Sequence, residues 1–292
     1  MLRRTVIPGK LTSSRTLAFI GSGQMALAMA TGVAKTDLFD RFIFCDPEPK
    51  AAVRCTESVK KVNKKLIVEA TESWELCLAS ADNNVLAVKP DTASALLPDM
   101  APKLKAQHLL ISIMAGWTLG GLRELTGPHA KLIRCMPNTP LLVGLGATAI
   151  AADESATKLD VAMVEAMFSS CGYCTKVPES KMDAVTGVSG SGPAFVALII
   201  EAMADAAVEQ GLPRQTALQL AAQTVHGAGA LCMDESRGGA GLHPAVVKDR
   251  VCSPSGTTIH GTAVLEKLGV RGTVMAAIRA SAKRSMELAE NP

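Results

Sequence analysis

The chain has 292 residues, 48% of them apolar and only 3% aromatic, with 30 basic and 27 acidic side chains and a net charge of +3. That length accommodates two domains, each with its own core, and the scarcity of aromatic residues requires those cores to be aliphatic and Ala-rich. So small a net charge, without a dense Lys/Arg tract, argues against nucleic acid or an anionic membrane surface as a partner.

Residues 1–15 hold four basic residues and no acid, together with Ser and Thr, which reads as a flexible tail or a short mitochondrial presequence. From residue 16 to 177 short apolar runs alternate with helical stretches. The runs are TLAFI (16–20), RFIFC (41–45), LIVEA (66–70), NNVLAV (83–88), HLLISIM (108–114) and KLIRCM (131–136), with GATAIAA (146–152) as the last strand. Most are apolar throughout, as strands covered on both faces are. The alternation predicts an α/β fold, a Rossmann-type doubly wound parallel sheet. KKVNKK (60–65) reads as a solvated helix end.

The strand signal ends near Lys181, and residues 178–292 read as an all-helical domain. One helix opens at Pro193 and stops near Gly211, with Pro213 beyond it. A second runs from Arg214 to about Met233 with Ala217, Ala221, Ala222, Gly227, Ala228 and Gly229, small residues suited to close helix contact. So many apolar faces exceed what one small bundle covers, so this half is expected to form a homodimer. No uncharged apolar run reaches the ~18 residues of a membrane helix; the most apolar segment, AFVALIIEAMADAAV, carries Glu201 and Asp205.

Eight scattered cysteines suit a reducing compartment better than a disulfide framework. Cys171 and Cys174 form a lone C-x-x-C without the second pair or the histidines a zinc site needs, and read as structural thiols. No metal site is expected.

IGSGQMA places Gly21, Gly23 and Ala26 as G-x-G-x-x-A between a strand and a helix. Gly21 allows the tight turn, Gly23 lets a pyrophosphate approach the backbone, and Ala26 packs the helix close to the strand. The phosphates then sit on the helix N-terminus. Asp46 ends the next strand, where it either accepts hydrogen bonds from a ribose and opposes a 2′-phosphate, favouring NADH, or merely starts the turn completed by Pro47. Lys50 and Arg54 stand ready to accommodate NADPH. Lys89 in AVKPD could face a phosphate or be an ordinary solvated lysine. SIMAG (112–116) and MPNTP (136–140) end the following strands at the same edge, and Asn138 there could orient a ligand amide or cap its own turn. In VCSPSGTTIHG (251–261), Thr257 and Thr258 begin a helix, as plain N-caps or beside N–H groups that hold a carboxylate. His260 reads as structural.

In this order, IGSGQMA, AVKP, MPNTP, VTGVSGSGPAF, GLPRQTALQLAAQTVHGA and SPSGTTIHGTAVLE resemble pyrroline-5-carboxylate reductase, from about residue 16 to 290. The resemblance implies an N-terminal Rossmann domain that binds NADPH or NADH and a helical domain that interlocks with a second subunit, often within a decamer. It implies reduction of Δ1-pyrroline-5-carboxylate to L-proline, the last step of proline biosynthesis. Ile20, Gly21, Ser22, Gly23, Gln24 and Met25 match its phosphate loop; Ala87, Val88, Lys89 and Pro90, with Ile113, Met114 and Ala115, match loops near the nicotinamide. Gly256, Thr257 and Thr258 match the turn holding the substrate carboxylate, with Thr258 assisting the imine. The stretch Ser189–Pro193 is placed as hinge and wall facing the nicotinamide. Ser255 stands where the family usually has glycine, Asp46 where NADPH-preferring members often have serine, and Arg250 where Asn is frequent. The first bears on turn geometry, the other two on cofactor preference.

A protonated cyclic imine is already electrophilic, so hydride transfer to it needs neither a metal nor a strong acid. A 3-hydroxyacid dehydrogenase, the rival enzyme, relies on a lysine in its first interdomain helix, and Pro193 to Gln210 contains none. A dinucleotide sensor that lost the reaction would show a degraded SPSGTT turn, of which Ser255 is the only hint. The expected compartment is cytoplasmic, with mitochondrial as the alternative.

Overall fold

The computed structural model describes residues 15–233 and 241–290. Residues 1–14 of the expected tail lie outside the described residues. Arg15, counted with that tail, is anchored: its guanidinium pairs with Asp40 at 2.9 Å, and its carbonyl accepts from the Asp40 N–H.

Eight strands form one sheet: β1 Thr16–Ile20, β2 Arg41–Cys45, β3 Ile67–Thr71, β4 Asn83–Leu86, β5 Leu109–Ser112, β6 Lys131–Met136, β7 Gly146–Ala152 and β8 Gly172–Lys176. Their spatial order is β3-β2-β1-β4-β5-β6-β7-β8. The expected parallel arrangement holds from β3 to β6, with β7 antiparallel to β6. The link from Met136 to Gly146 explains this reversal. It is a single 3₁₀ turn, Thr139–Val143, closed by Gly144 at φ +75°, and a parallel pairing would need a crossover of a dozen or more residues. GATAIAA is therefore not the last strand. Its successor β8, parallel to β7, is a half-exposed edge whose sequence GYCTK lacks an apolar run.

Seven helices accompany the sheet: α1 Gln24–Val33, α2 Pro49–Val62, α3 Trp74–Ser80, α4 Pro90–Met100, α5 Leu119–Thr126, α6 Lys158–Ser169 and the short α7 Met182–Val185. Beyond them lie α8 Gly192–Glu209, α9 Arg214–Met233, α10 Pro244–Val251, α11 Thr257–Lys267 and α12 Val270–Glu290. One sheet face concentrates Phe19, Phe39, Phe42, Phe44 and Phe168, five of the six phenylalanines, with Phe19 and Phe44 stacked at 4.9 Å. The opposite face is aliphatic, built from Ile43, Leu86, Leu97, Met100 and Leu110 around Trp117.

His108, only 3% exposed, locks the turn into β5. Its Nδ1 accepts from the Lys105 N–H at 3.1 Å, so Nε2 carries the proton and donates to the Leu78 carbonyl at 3.1 Å. Burial holds its pKa below the ordinary imidazole value, against the opposing pull of the Leu78 carbonyl. A depressed folded-state pKa makes the contribution of His108 fully present above the unfolded value near ~6.5, and lost as pH falls below it. Denaturant melts at descending pH should show the wild type losing stability below about pH 6.5 faster than His108→Gln, which has no such titration.

The chain packs as two compact units, the first containing residues 15–191 and 280–290, the second Gly192–Arg279. Residues 178–191, placed in the helical domain from sequence, pack with the sheet. Ser285 at the end of α12 does so too, donating to Asp183 at 2.7 Å. In the second unit α8 and α9 meet through Ala204, Ala217 and Ala221, its only buried apolar residues among those described. Leu198, Ile199, Met203, Leu220, Leu265 and Met275 are exposed. The helical run Glu179–Glu209 is long and apolar enough to cross a membrane by length and composition alone.

The eight cysteines are free thiols. Cys171 and Cys174 are structural in their contacts: Cys171 donates weakly to the Met29 and Met167 carbonyls, and burial pushes Cys174 up to about 12. A protonated thiol of that kind is a poor nucleophile.

Candidate active site

Parallel strands present their carboxyl ends at one edge, where ligands of open α/β sheets bind. At that edge β1 ends in Ile20 and the glycine turn. Gly21 has φ +96°, and a Cβ there would lie 2.5 Å from the Ala87 carbonyl oxygen. Glycine is thus required twice over, for the left-handed backbone and for the contact with the β4 loop. Gly23 is the N-cap of α1, no side chain caps that end, and open space surrounds its Cβ position. The first-turn N–H groups of Gln24, Met25 and Ala26 therefore face outward with the positive end of the helix dipole. Backbone cradle, uncapped helix start and open approach together fit a dinucleotide pyrophosphate.

Asp46 does more than begin a turn. Its Oδ2 accepts from the Ser22 N–H at 2.8 Å and its Oδ1 from the Glu48 N–H at 2.9 Å. Ser22 is fully buried; its hydroxyl reaches the Cys45 carbonyl, and its own carbonyl lies 3.5 Å from the Arg54 guanidinium. The acid thus ties the glycine loop to the end of β2, a contact across 24 positions of sequence that local reading misses.

Lys89 is exposed at the N-cap of α4, with Pro90 at the first helical position. Ala87 and Val88 are half-buried beside the Gly21 turn; Ile113 is half-buried, Met114 buried and Ala115 exposed after β5. These loops share the sheet edge with the glycine turn. Asn138 leaves its own 3₁₀ turn uncapped. Its amide instead spans two other segments, Oδ1 accepting from the Ala147 N–H at 2.8 Å and Nδ2 donating to the Ser189 carbonyl at 3.0 Å.

Sequence reasoning passed over Arg134, an arginine inside the apolar run KLIRCM. It is buried, and its Nη1 donates to Glu179 at 3.2 Å. The same Glu179 carboxylate accepts from the Leu119 N–H at the start of α5. A charge retained in an otherwise apolar strand was the available signal, since such a group must be paired.

The glycine-rich stretch is not a loop. Residues Thr186–Gly190 form a π-helical turn, with Ser191 N–H donating to the Thr186 carbonyl at 2.9 Å, and α8 follows directly. Pro193 sits one residue inside α8 rather than at its first position. A Cβ on Gly190 would come within 2.8 Å of Met136 Cε.

In the second unit Gly256 is the N-cap of α11, and no side chain caps it. Thr257 and Thr258 are the first two helical residues, so neither is the N-cap. A Cβ on Gly256 would lie 2.2 Å from Ser253 Oγ, and Ser255 takes the left-handed φ of 56°. The strained non-glycine residue holds the turn in a conformation that glycine adopts freely. His260 is tied to this turn: its Nδ1 donates to the Gly256 carbonyl at 2.9 Å. Thr258 is half-buried, and the N–H groups of the first helical turn remain free for an anion.

A family model described as pyrroline-5-carboxylate reductase dimerisation matches residues 179–288, and one described as NADP oxidoreductase, coenzyme F420-dependent, matches 16–116. Pyrroline-5-carboxylate reductase of Arabidopsis thaliana is 39% identical over 275 residues, covering 94% of this chain and 96% of the relative. The chain belongs to the pyrroline-5-carboxylate reductase family. Two solved structures of the family share its fold. The Coxiella burnetii enzyme superposes with a TM-score of 0.85 at 28% identity, covering 95% of this chain and 99% of that one. The Plasmodium falciparum enzyme, solved with NADP bound, gives 0.78 at 33% identity, covering 94% and 98%. As a member of this family the chain is an oxidoreductase with a Rossmann domain for a nicotinamide cofactor and a helical dimerisation domain.

Proposed function

We propose that the chain reduces Δ1-pyrroline-5-carboxylate to L-proline with NADH or NADPH, using the residues assigned below. The observation that carries the assignment is the pair of uncapped helix starts, one in each unit, behind Gly23 and Gly256. Each offers unpaired N–H groups to an anion, and family membership supplies the two anions, a cofactor pyrophosphate and a substrate carboxylate.

When bound, the reduced nicotinamide supplies the hydride that reduces the imine carbon. The chain's own groups bind and orient. Ile20 to Met25 receive the pyrophosphate; Ala87 to Pro90 and Ile113 to Ala115 line the approach to the nicotinamide. In the Gly256–Thr258 turn, where the Gly256 N–H donates to the Ser253 carbonyl at 3.1 Å, the Thr257 and Thr258 N–H groups fix the carboxylate, and the Thr258 hydroxyl bonds the imine nitrogen, which carries its proton into the product amine. Incubation of the full chain with pyrroline-5-carboxylate should consume NAD(P)H and yield proline. Reduced cofactor that persists beside this substrate would refute the assignment.

Asp46 sets the donor. Its negative charge opposes a 2′-phosphate and suits NADH, while Arg54 beside the Ser22 carbonyl offers NADPH a compensating cation. Asp46→Ser should therefore raise the NADPH/NADH ratio of kcat/KM. It should also lower both values, by about ten-fold for NADH, because the Ser22 N–H loses a charged acceptor. Steady-state kinetics with each donor tests this; unchanged constants with both would leave Asp46 a turn residue.

The exposed apolar face of α8 is taken up by a second copy rather than by lipid, and dimers further assemble into a decamer. Free thiols suit a reducing compartment, and we place the enzyme in the cytoplasm.

A further inference from the structure

Pro193 has no N–H to give to the carbonyl four residues earlier, which is that of Ser189. In an uninterrupted helix this carbonyl would be orphaned at the carboxyl edge of the sheet. Asn138 supplies the missing donor through Nδ2 at 3.0 Å, while its Oδ1 is fixed by the Ala147 N–H at the start of β7. Asn138 is 7% exposed and cannot swing to another partner without leaving the half-buried Ala147 N–H and Ser189 carbonyl without this bond. Gly190, next to Ser189, lies against Met136 so closely that a Cβ would meet its terminal methyl at 2.8 Å. Two residues that follow one another closely at the end of β6 therefore grip two successive residues of the π turn.

We propose that Asn138 is a positioning residue for the reaction: its amide holds the Ser189–Pro193 turn in place at the ligand edge of the sheet. The inference rests on the activity proposed above. π turns inserted in α-helices recur at functional sites, and such a turn is stable only while its irregular carbonyls are satisfied. The Asn138 amide does this from a strand end fixed by the sheet. The turn lies at the carboxyl edge of the sheet, which also carries the glycine loop, and the substrate-reduction step depends on its placement. The cofactor pyrophosphate, held by Gly21 to Met25 at β1, does not.

Asn138→Asp separates these roles. Its carboxylate keeps the acceptor for the Ala147 N–H but offers the Ser189 carbonyl a second acceptor in place of a donor. At alkaline pH this variant should lose about ten-fold in kcat, with NADH affinity, read by nucleotide fluorescence, unchanged. As pH falls towards about 5, protonation restores an O–H donor to Ser189, and the ratio of variant to wild-type kcat should climb. A residue with only a fold role would shift the melting temperature without that pH-dependent recovery. Asn138→Ala removes both bonds without adding charge, and should show the same kcat loss with no recovery in acid. A kcat within two-fold of wild type in the folded variants, or failure of both to fold, would overturn the proposal. A wild type that does not turn over pyrroline-5-carboxylate refutes the activity itself, whereas an active wild type matched by its Asn138 variants refutes only this positioning role.

Discussion

Thr258→Ala is expected to cost about ten-fold or more in kcat/KM for pyrroline-5-carboxylate and almost nothing in thermal stability. Had the hydroxyl served as an N-cap, its loss would cost ~1 kcal/mol of stability and leave the kinetics of folded enzyme intact. The helix start decides between the two. Gly256 is the N-cap of α11, no side chain caps the N–H groups of that end, and Thr258 is its second helical residue. Its hydroxyl is therefore available to a ligand, beside N–H groups that would otherwise face water. One hydrogen bond to a charged imine or carboxylate is worth ~1.5–3 kcal/mol, or about ten-fold to more than a hundred-fold in rate. NAD(P)H affinity should hold, because the pyrophosphate cradle at Gly21 and Gly23 belongs to the other unit. Thr258→Ser should retain most activity. A Thr258→Ala enzyme with wild-type kcat/KM and a lower melting temperature would remove Thr258 from the mechanism.

The sheet was legible because its strands are predominantly apolar: TLAFI, RFIFC, KLIRCM and GATAIAA became β1, β2, β6 and β7 with the same bounds. What escaped was non-local. GYCTK carries no periodic signal, and becomes a strand only because β7 offers it a free edge. Ser189–Pro193, read as a hinge at the start of a helix, begins inside a π turn that composition does not show, held by tertiary partners at Met136 and Asn138. The same holds for the site. The glycine motif could be read residue by residue, whereas the tie from Asp46 to Ser22 and the bridge from Asn138 to Ser189 join segments far apart in sequence. Small-residue spacing also misassigned one position. Ala221, read as part of a subunit contact, is buried against α8 within its own unit, while Ala228 is exposed.

That difference shapes the test of assembly. Leu198 is 67% exposed on α8, in a unit whose described buried apolar residues are three alanines. A core that small cannot hold five helices, and the match of residues 179–288 to a dimerisation model supports a second copy as the cover for the rest. Burying a leucine is worth ~1.5–3 kcal/mol, and placing an unpaired carboxylate in the same position costs several kcal/mol more. In a two-fold symmetric dimer each substitution counts twice. Leu198→Glu should therefore weaken dimerisation by more than ~5 kcal/mol, or over a thousand-fold in Kd. Light scattering should show the wild type as a dimer or larger at micromolar concentration and Leu198→Glu as monomer or aggregate, with activity lost in step. Ala228→Glu, at an exposed position, should weaken assembly in the same direction, whereas Ala221→Glu should unfold the α8–α9 pair itself and lower helicity. A fully active Leu198→Glu enzyme with the wild-type mass would show that α8 does not form the subunit contact.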